Sequence, residues 1–150
     1  MKTLLAEEER TALVSRIGKL RPDSPRRWGK MSAAQMVCHL NDSFRHSLCE
    51  KSIASADNFF TRSVLKWAAL WLPVPWAHGV PTRPEVDQLR GGTPPKEFSA
   101  DVQELRDLLA RFCAVSGAAP AHPMFGQMSR EEWLRWGYLH TDHHLRQFGV

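Results

Sequence analysis

With 150 residues, 43% of them hydrophobic and 24% charged, the chain has the size and composition of one globular domain rather than a disordered segment. Its net charge of +4 is spread through Arg10, Arg16, Lys19, Arg62, Arg83, Arg106 and Arg130, without the clustered stripe that a nucleic-acid binder needs. Three cysteines without a CxxC make no disulfide framework, the N-terminal run has no leader-like apolar stretch, and Trp67–Trp76 is interrupted by Pro73 and Pro75, too short for a bilayer. The expectation is a cytoplasmic protein with neither nucleic acid nor membrane as partner.

The spacing predicts five helical segments. The first runs from about Leu4 to Leu20, with Leu5, Leu13 and Ile17 as its stripe and Glu7, Glu8 and Glu9 suiting the positive end of the helix dipole. Pro22 and Pro25 stop it. The second opens at Ser32, where Ser32 and Gln35 form a capping box, and reaches about Glu50 with Met36, Leu40, Phe44 and Leu48 on its apolar face. The third, about Asn58 to Leu72, carries Phe59, Phe60, Leu65, Trp67 and Trp71 and is the weakest of the five as a full helix. A connection from Pro73 to Phe98 follows, with six prolines and three glycines, long enough to suggest a functional lid over one end of the molecule.

The fourth helix opens at Ser99, places Val102, Leu105, Leu109 and Phe112 on one side, and stops near Gly117. The fifth opens at a second capping box, Ser129 with Glu132, runs to about Phe148 and is closed by Gly149. Helices in series with no strand signal predict an all-α fold: a single domain over residues 1–150, built as an antiparallel four-helix bundle with an extra helical segment and a long Pro-rich connection.

Within the last helix, His140 and His144 lie one turn apart and can aim their rings at one ion. Trp133, Trp136, His140, His144 and Gln147 share a face, so the tryptophans turn these histidines inward. His143 sits off that line and suits a pocket or outer role. On the second helix Gln35, His39, Asp42 and His46 form a polar track that is either the solvated face or the source of a third imidazole, His39. Three histidines would leave coordination positions open, as a catalytic metal requires. The plain alternative is a packed helix with hydrogen-bonded histidines.

The run Arg27 to Leu40 (RWGKMSAAQMVCHL), the turn His122 to Gly126 (HPMFG), Trp133, and the run His140 to Gly149 (HTDHHLRQFG) together resemble an uncharacterised branch of the DinB-like superfamily. That resemblance implies a four-helix bundle and a metal triad made of one histidine on the second helix and an HxxxH pair on the last: His39, His140 and His144. It further implies a homodimer as one assembly, and either thiol-dependent transfer or hydrolysis as the chemistry.

Among other residues, Trp67, Trp71 and Trp76 read as core rather than pocket, Cys38 as a buried packing residue, and Arg146 as a surface ion-pair partner. Asp42 and His46 are the nearest candidates for catalytic proton transfer. The function expected is that of an enzyme acting on a small-molecule substrate, using a divalent transition metal, zinc or nickel first, and a low-molecular-weight thiol as a second cofactor if transfer is the reaction. The alternative is a non-catalytic bundle that binds a small ligand or a metal.

Overall fold

The computed structural model describes residues 2–117 and 119–150. Its helices are α1 (Glu7–Ile17), α2 (Ala33–Ser47), α3 (Lys66–Trp71), α4 (Phe98–Ala114) and α5 (Arg130–Gln147). A π-helical turn, Thr61–Leu65, leads into α3, and a 3-10 turn, Pro84–Val86, lies in the connection to α4. Among the described residues there is no sheet, only an isolated bridge between His122 and Gly126. The fold is all-α.

Both expected capping boxes form: Ser32 with Gln35 at α2, and Ser129 with Glu132 at α5. α2 ends sooner than its apolar spacing suggested, because Cys49 takes a left-handed conformation at φ 63°. α4 is capped by Glu97, whose carboxylate accepts from the Ser99 and Ala100 N–H groups, and it ends at Ala114, ahead of the expected stop at Gly117. α1 is shorter than expected too, so Leu5 is exposed and Leu4 takes its place in the core. Gly149, at φ 76°, closes α5 as expected.

Pairings along the helices give their directions. The Leu4 N–H donates to the Leu134 carbonyl, and Arg16 pairs with Asp142, so α1 and α5 run the same way. Asn41 donates to the Asp101 carbonyl while Arg45 pairs with Glu104, so α2 and α4 also run together. His39 lies beside His140 and His144, whereas His46 lies beside Trp133, so the two pairs are mutually antiparallel. Two helices that follow one another in the bundle yet point in the same direction require the chain to return along their full length, about 22 Å for α2. This is the physical reason for the long crossover, residues 48–97, which contains α3 and the Pro-rich connection.

Met36, Leu40 and Phe44 of α2, Leu105, Leu109 and Phe112 of α4, Leu13 and Ile17 of α1, and Trp133 and Leu145 of α5 make one core. The α3 segment contributes Leu70 and little else. Phe59, Phe60 and Trp67 are exposed, Trp67 by 57%, which overturns the reading of Trp67 as core. The crossover passes outside the four-helix core, so only the inner side of this segment finds partners. Trp71 packs against the core from the side, while Trp76 belongs to the histidine cluster described next.

Candidate metal centre

His39 stands at the middle of α2 and His140 and His144 in the second half of α5, and the antiparallel arrangement brings them to one level of the bundle. Their ring centroids form a nearly equilateral triangle with sides of 5.1, 4.8 and 4.9 Å. The rings meet edge-on, at 82°, 67° and 70°, which turns nitrogens rather than π-faces toward a common point. One ring nitrogen from each lies within 4.8 Å of the others. The Nε2 atoms of His39 and His140 are 3.2 Å apart, close to the separation of about 3.3 Å that a tetrahedral ion imposes on two imidazoles.

Outer partners fix two of the three tautomers. His39 donates from Nδ1 to the Val86 carbonyl at 2.7 Å, leaving a lone pair on Nε2. His144 donates from Nδ1 to Gln147 Oε1 at 2.9 Å, and the Gln147 amide donates in turn to the Trp28 carbonyl at 2.8 Å. Both are the arrangement that orients a metal-binding histidine. His140 is held differently: its ring stacks on Trp136 with centroids 4.8 Å apart, and its Nδ1 is buried without a partner. Burial drives His39 below the ordinary histidine range; burial and the neighbouring histidines drive His140 and His144 well below it. Neutral imidazole is the form that binds a metal.

Polar residues that composition would place in water are covered here. Val86 belongs to the crossover, so the Pro73–Phe98 segment does pack over the level that holds the histidines. Gln88 and Thr93 of the same segment reach Asp42, with Gln88 Nε2 at 3.1 Å and the Thr93 N–H at 2.8 Å from Oδ2. Thr93 Oγ1 and Arg45 hold Oδ1 at 2.7 and 3.0 Å, and Lys51 is 3.0 Å from Oδ2. Burial alone would raise the Asp42 carboxyl, but the Thr93 donors and the Lys51 ammonium outweigh it and hold it below its ordinary value. The aspartate is therefore a fully engaged anchor between α2 and the crossover. Asp42→Asn should destabilise the fold by about 3–5 kcal/mol, because an amide would present N–H groups to partners that are all donors. Urea denaturation of the two proteins measures this; a difference below about 1 kcal/mol would contradict it.

His46 is equally occupied. Its Nδ1 lies 2.9 Å from the Lys51 carbonyl and its Nε2 3.3 Å from the Ala121 carbonyl. Neither Asp42 nor His46 joins the triad; Asp42 faces Thr93, Gln88, Arg45 and Lys51, and His46 faces the Lys51 and Ala121 carbonyls. Cys38 is buried, and burial with Asp101 beside it pushes its thiol up to about 12, consistent with packing rather than nucleophilic duty. Arg146 pairs with Asp142 at 2.9 Å on the surface of α5.

Val86 and His78 carried no sequence signal, Trp28 and His122 lay in the family-like runs, and Trp76 had read as core. Val86 acts through a backbone carbonyl. Trp28, Trp76 and His78 come from two connections and gather around His143, which is half-buried with its ring 5.3 Å from that of His144. His122 caps its own turn: Nδ1 accepts from the Met124 and Phe125 N–H groups, and the ring stacks on Phe125. Burial, with His46 nearby, lowers it to about 3.

Gly29 shows why the two ends of the sequence meet here. It has φ 79°, and any Cβ would collide with Gln147 Nε2. Only glycine leaves room for the amide that orients His144. Gly29→Ala should therefore weaken metal affinity about 10- to 100-fold, the usual cost of losing an outer partner. Competition with a chromophoric chelator reads this directly, and unchanged affinity would show that Gln147 does not govern His144.

The family described as "Protein of unknown function (DUF1569)" matches residues 2–149. The chain belongs to the DUF1569 family. No curated protein and no solved structure matches it. Among the described residues of this DUF1569 protein, no helix is long and apolar enough to cross a membrane.

Proposed function

We propose that this DUF1569 protein is a divalent-metal-dependent enzyme of the DinB-like type, acting on a small molecule by thiol-dependent transfer or by hydrolysis. The observation that carries this reading is the edge-on triangle of His39, His140 and His144, with two outer partners already aiming Nε2 atoms inward. The donor set fits a zinc- or nickel-class ion: three imidazoles that burial holds neutral, with no competing carboxylate among them. When bound, such an ion supplies a Lewis acid that makes water or a thiol nucleophilic at neutral pH.

The chain's own residues supply the rest. Val86 of the crossover and Gln147 hold the His39 and His144 rings, and Trp136 holds the His140 ring. With Asp42 and His46 engaged elsewhere, His143 is the titratable side chain placed to handle a proton beside the triad, its ring 5.3 Å from that of His144. The engagement of Asp42 and His46 also favours the second reading, a metal-binding bundle without catalysis.

Elemental analysis of protein purified without added metal or a histidine tag tests the centre. About one transition-metal ion per chain is expected, and none after repeated trials with zinc or nickel would end both readings. Metal-loaded protein is then assayed with activated esters and with electrophiles plus a low-molecular-weight thiol. Turnover that disappears in His144→Ala supports the enzyme, and metal binding without turnover supports the binder.

A further inference from the structure

We propose that Trp28, Trp76 and His143 form a stacking subsite for a planar aromatic ligand bearing an anionic oxygen, and that His78 fills this subsite in the ligand-free protein. The proposal rests on the metal reading above and names the substrate class for that centre.

The decisive contact is between Trp28 and His78. Their rings are parallel to within 10°, with centroids 3.9 Å apart, the closest flat stack among the described residues. Trp28 is half-buried in the connection between α1 and α2; His78 is exposed on the crossover. A solvent-exposed imidazole lying flat on an indole shows that this face accepts a planar heteroaromatic ring, and an exposed ring held by stacking is readily displaced.

The surroundings extend the surface toward the metal site. The His143 ring is 5.7 Å from Trp28 and 6.0 Å from both Trp76 and His78. Trp76 is also 6.0 Å from His140, so one indole borders both the subsite and a triad histidine. The walls are set in place beforehand: Trp76 Nε1 donates to the Ala69 carbonyl at 2.8 Å, and the Trp28 carbonyl is held by Gln147.

Charge decides the ligand's polar group. An aromatic cage of this kind could also take a cation. Three neutral ligands, however, leave a divalent ion its full charge, and the carboxylate that acts on His143, Asp142, is already paired with Arg16 and Arg146. A ring with a carboxylate or phenolate oxygen satisfies both the stack and the ion; a quaternary ammonium satisfies only the stack.

Benzoate and cyclohexanecarboxylate share the anionic group and differ in the planar ring, so calorimetry on zinc-loaded protein separates the contributions. Benzoate should bind about tenfold more tightly, the upper range of one aromatic stack. Trp28→Ala should remove the preference without changing zinc content. His78→Ala, a substitution at an exposed position, should strengthen benzoate binding several-fold by removing the ring that must leave. Equal affinity for the two acids in zinc-loaded protein, or a His78→Ala variant that binds benzoate no more tightly, overturns the subsite and leaves the metal reading intact. If the protein takes up no zinc, the metal reading is the part that fails. Neutral benzamide added to metal-free protein then tests the stack alone: upfield shifts of its ring protons that vanish in Trp28→Ala support the subsite, and their absence overturns it.

Discussion

His39→Ala, His140→Ala and His144→Ala should each weaken zinc binding by about two to three orders of magnitude. A four-ligand zinc site is worth about 10–16 kcal/mol, so each ligand carries roughly 2.5–4 kcal/mol. Two imidazoles hold an ion that exchanges with buffer; three retain it. His143→Ala should stay within about tenfold of the wild type, since its ring lies outside the triangle. The measurement is a competition titration against a chelator of known affinity, with helical content followed in parallel to confirm folding. The contrast matters more than any single value. If His143→Ala lost as much affinity as His144→Ala, the ligand set would be wrong.

Acid should destabilise the metal-free protein steeply below about pH 6.5. His39, His122 and His144 are buried and His140 is half-buried, and desolvation is the first cause that lowers each of them. In the unfolded chain each titrates near 6.5. Between that value and the lower folded one, the unfolded state binds more protons, so stability rises with pH across the window and is lost as pH falls through it. At pH 5, His122 alone, at about 3 in the folded state, accounts for a loss of about 2 kcal/mol. The triad histidines add to this in the same direction. Urea denaturation at pH 7.5 and pH 5.0 checks the sign and size. A stability that is flat over that interval would mean that these rings are not buried in neutral form.

The parts of the site that could be read from the sequence are those whose partners lie within a turn or two. The boxes Ser32–Gln35 and Ser129–Glu132 set where α2 and α5 begin, and the spacing of His140 and His144 places both rings on one face. The parts that could not be read depend on distant backbone. The Val86 carbonyl is 47 residues from His39, and the Trp28 carbonyl 119 residues from Gln147; neither leaves a mark in residue type. The polar track Gln35, His39, Asp42 and His46 resembled a solvated face because nothing local shows that the crossover covers it. Trp67 erred the other way: its apolarity suggested burial, but the return path of the chain leaves it outside, as it does Phe59 and Phe60. In both cases the parallel course of α2 and α4 decided the outcome, and direction is a property of the assembled bundle.

The distance along the chain between the triad's members also bears on how the protein is made. His39 and His140 are 101 residues apart. An ion joining them is a reversible cross-link, and closing a loop of about a hundred residues restricts the unfolded ensemble by about 4–5 kcal/mol on the scale established for disulfides. No fragment that lacks α5 contains more than one of the three histidines. A chain emerging from the ribosome therefore holds all three histidines only after α5 has been synthesised, and capture of an ion by the proposed centre would report that the last helix has docked.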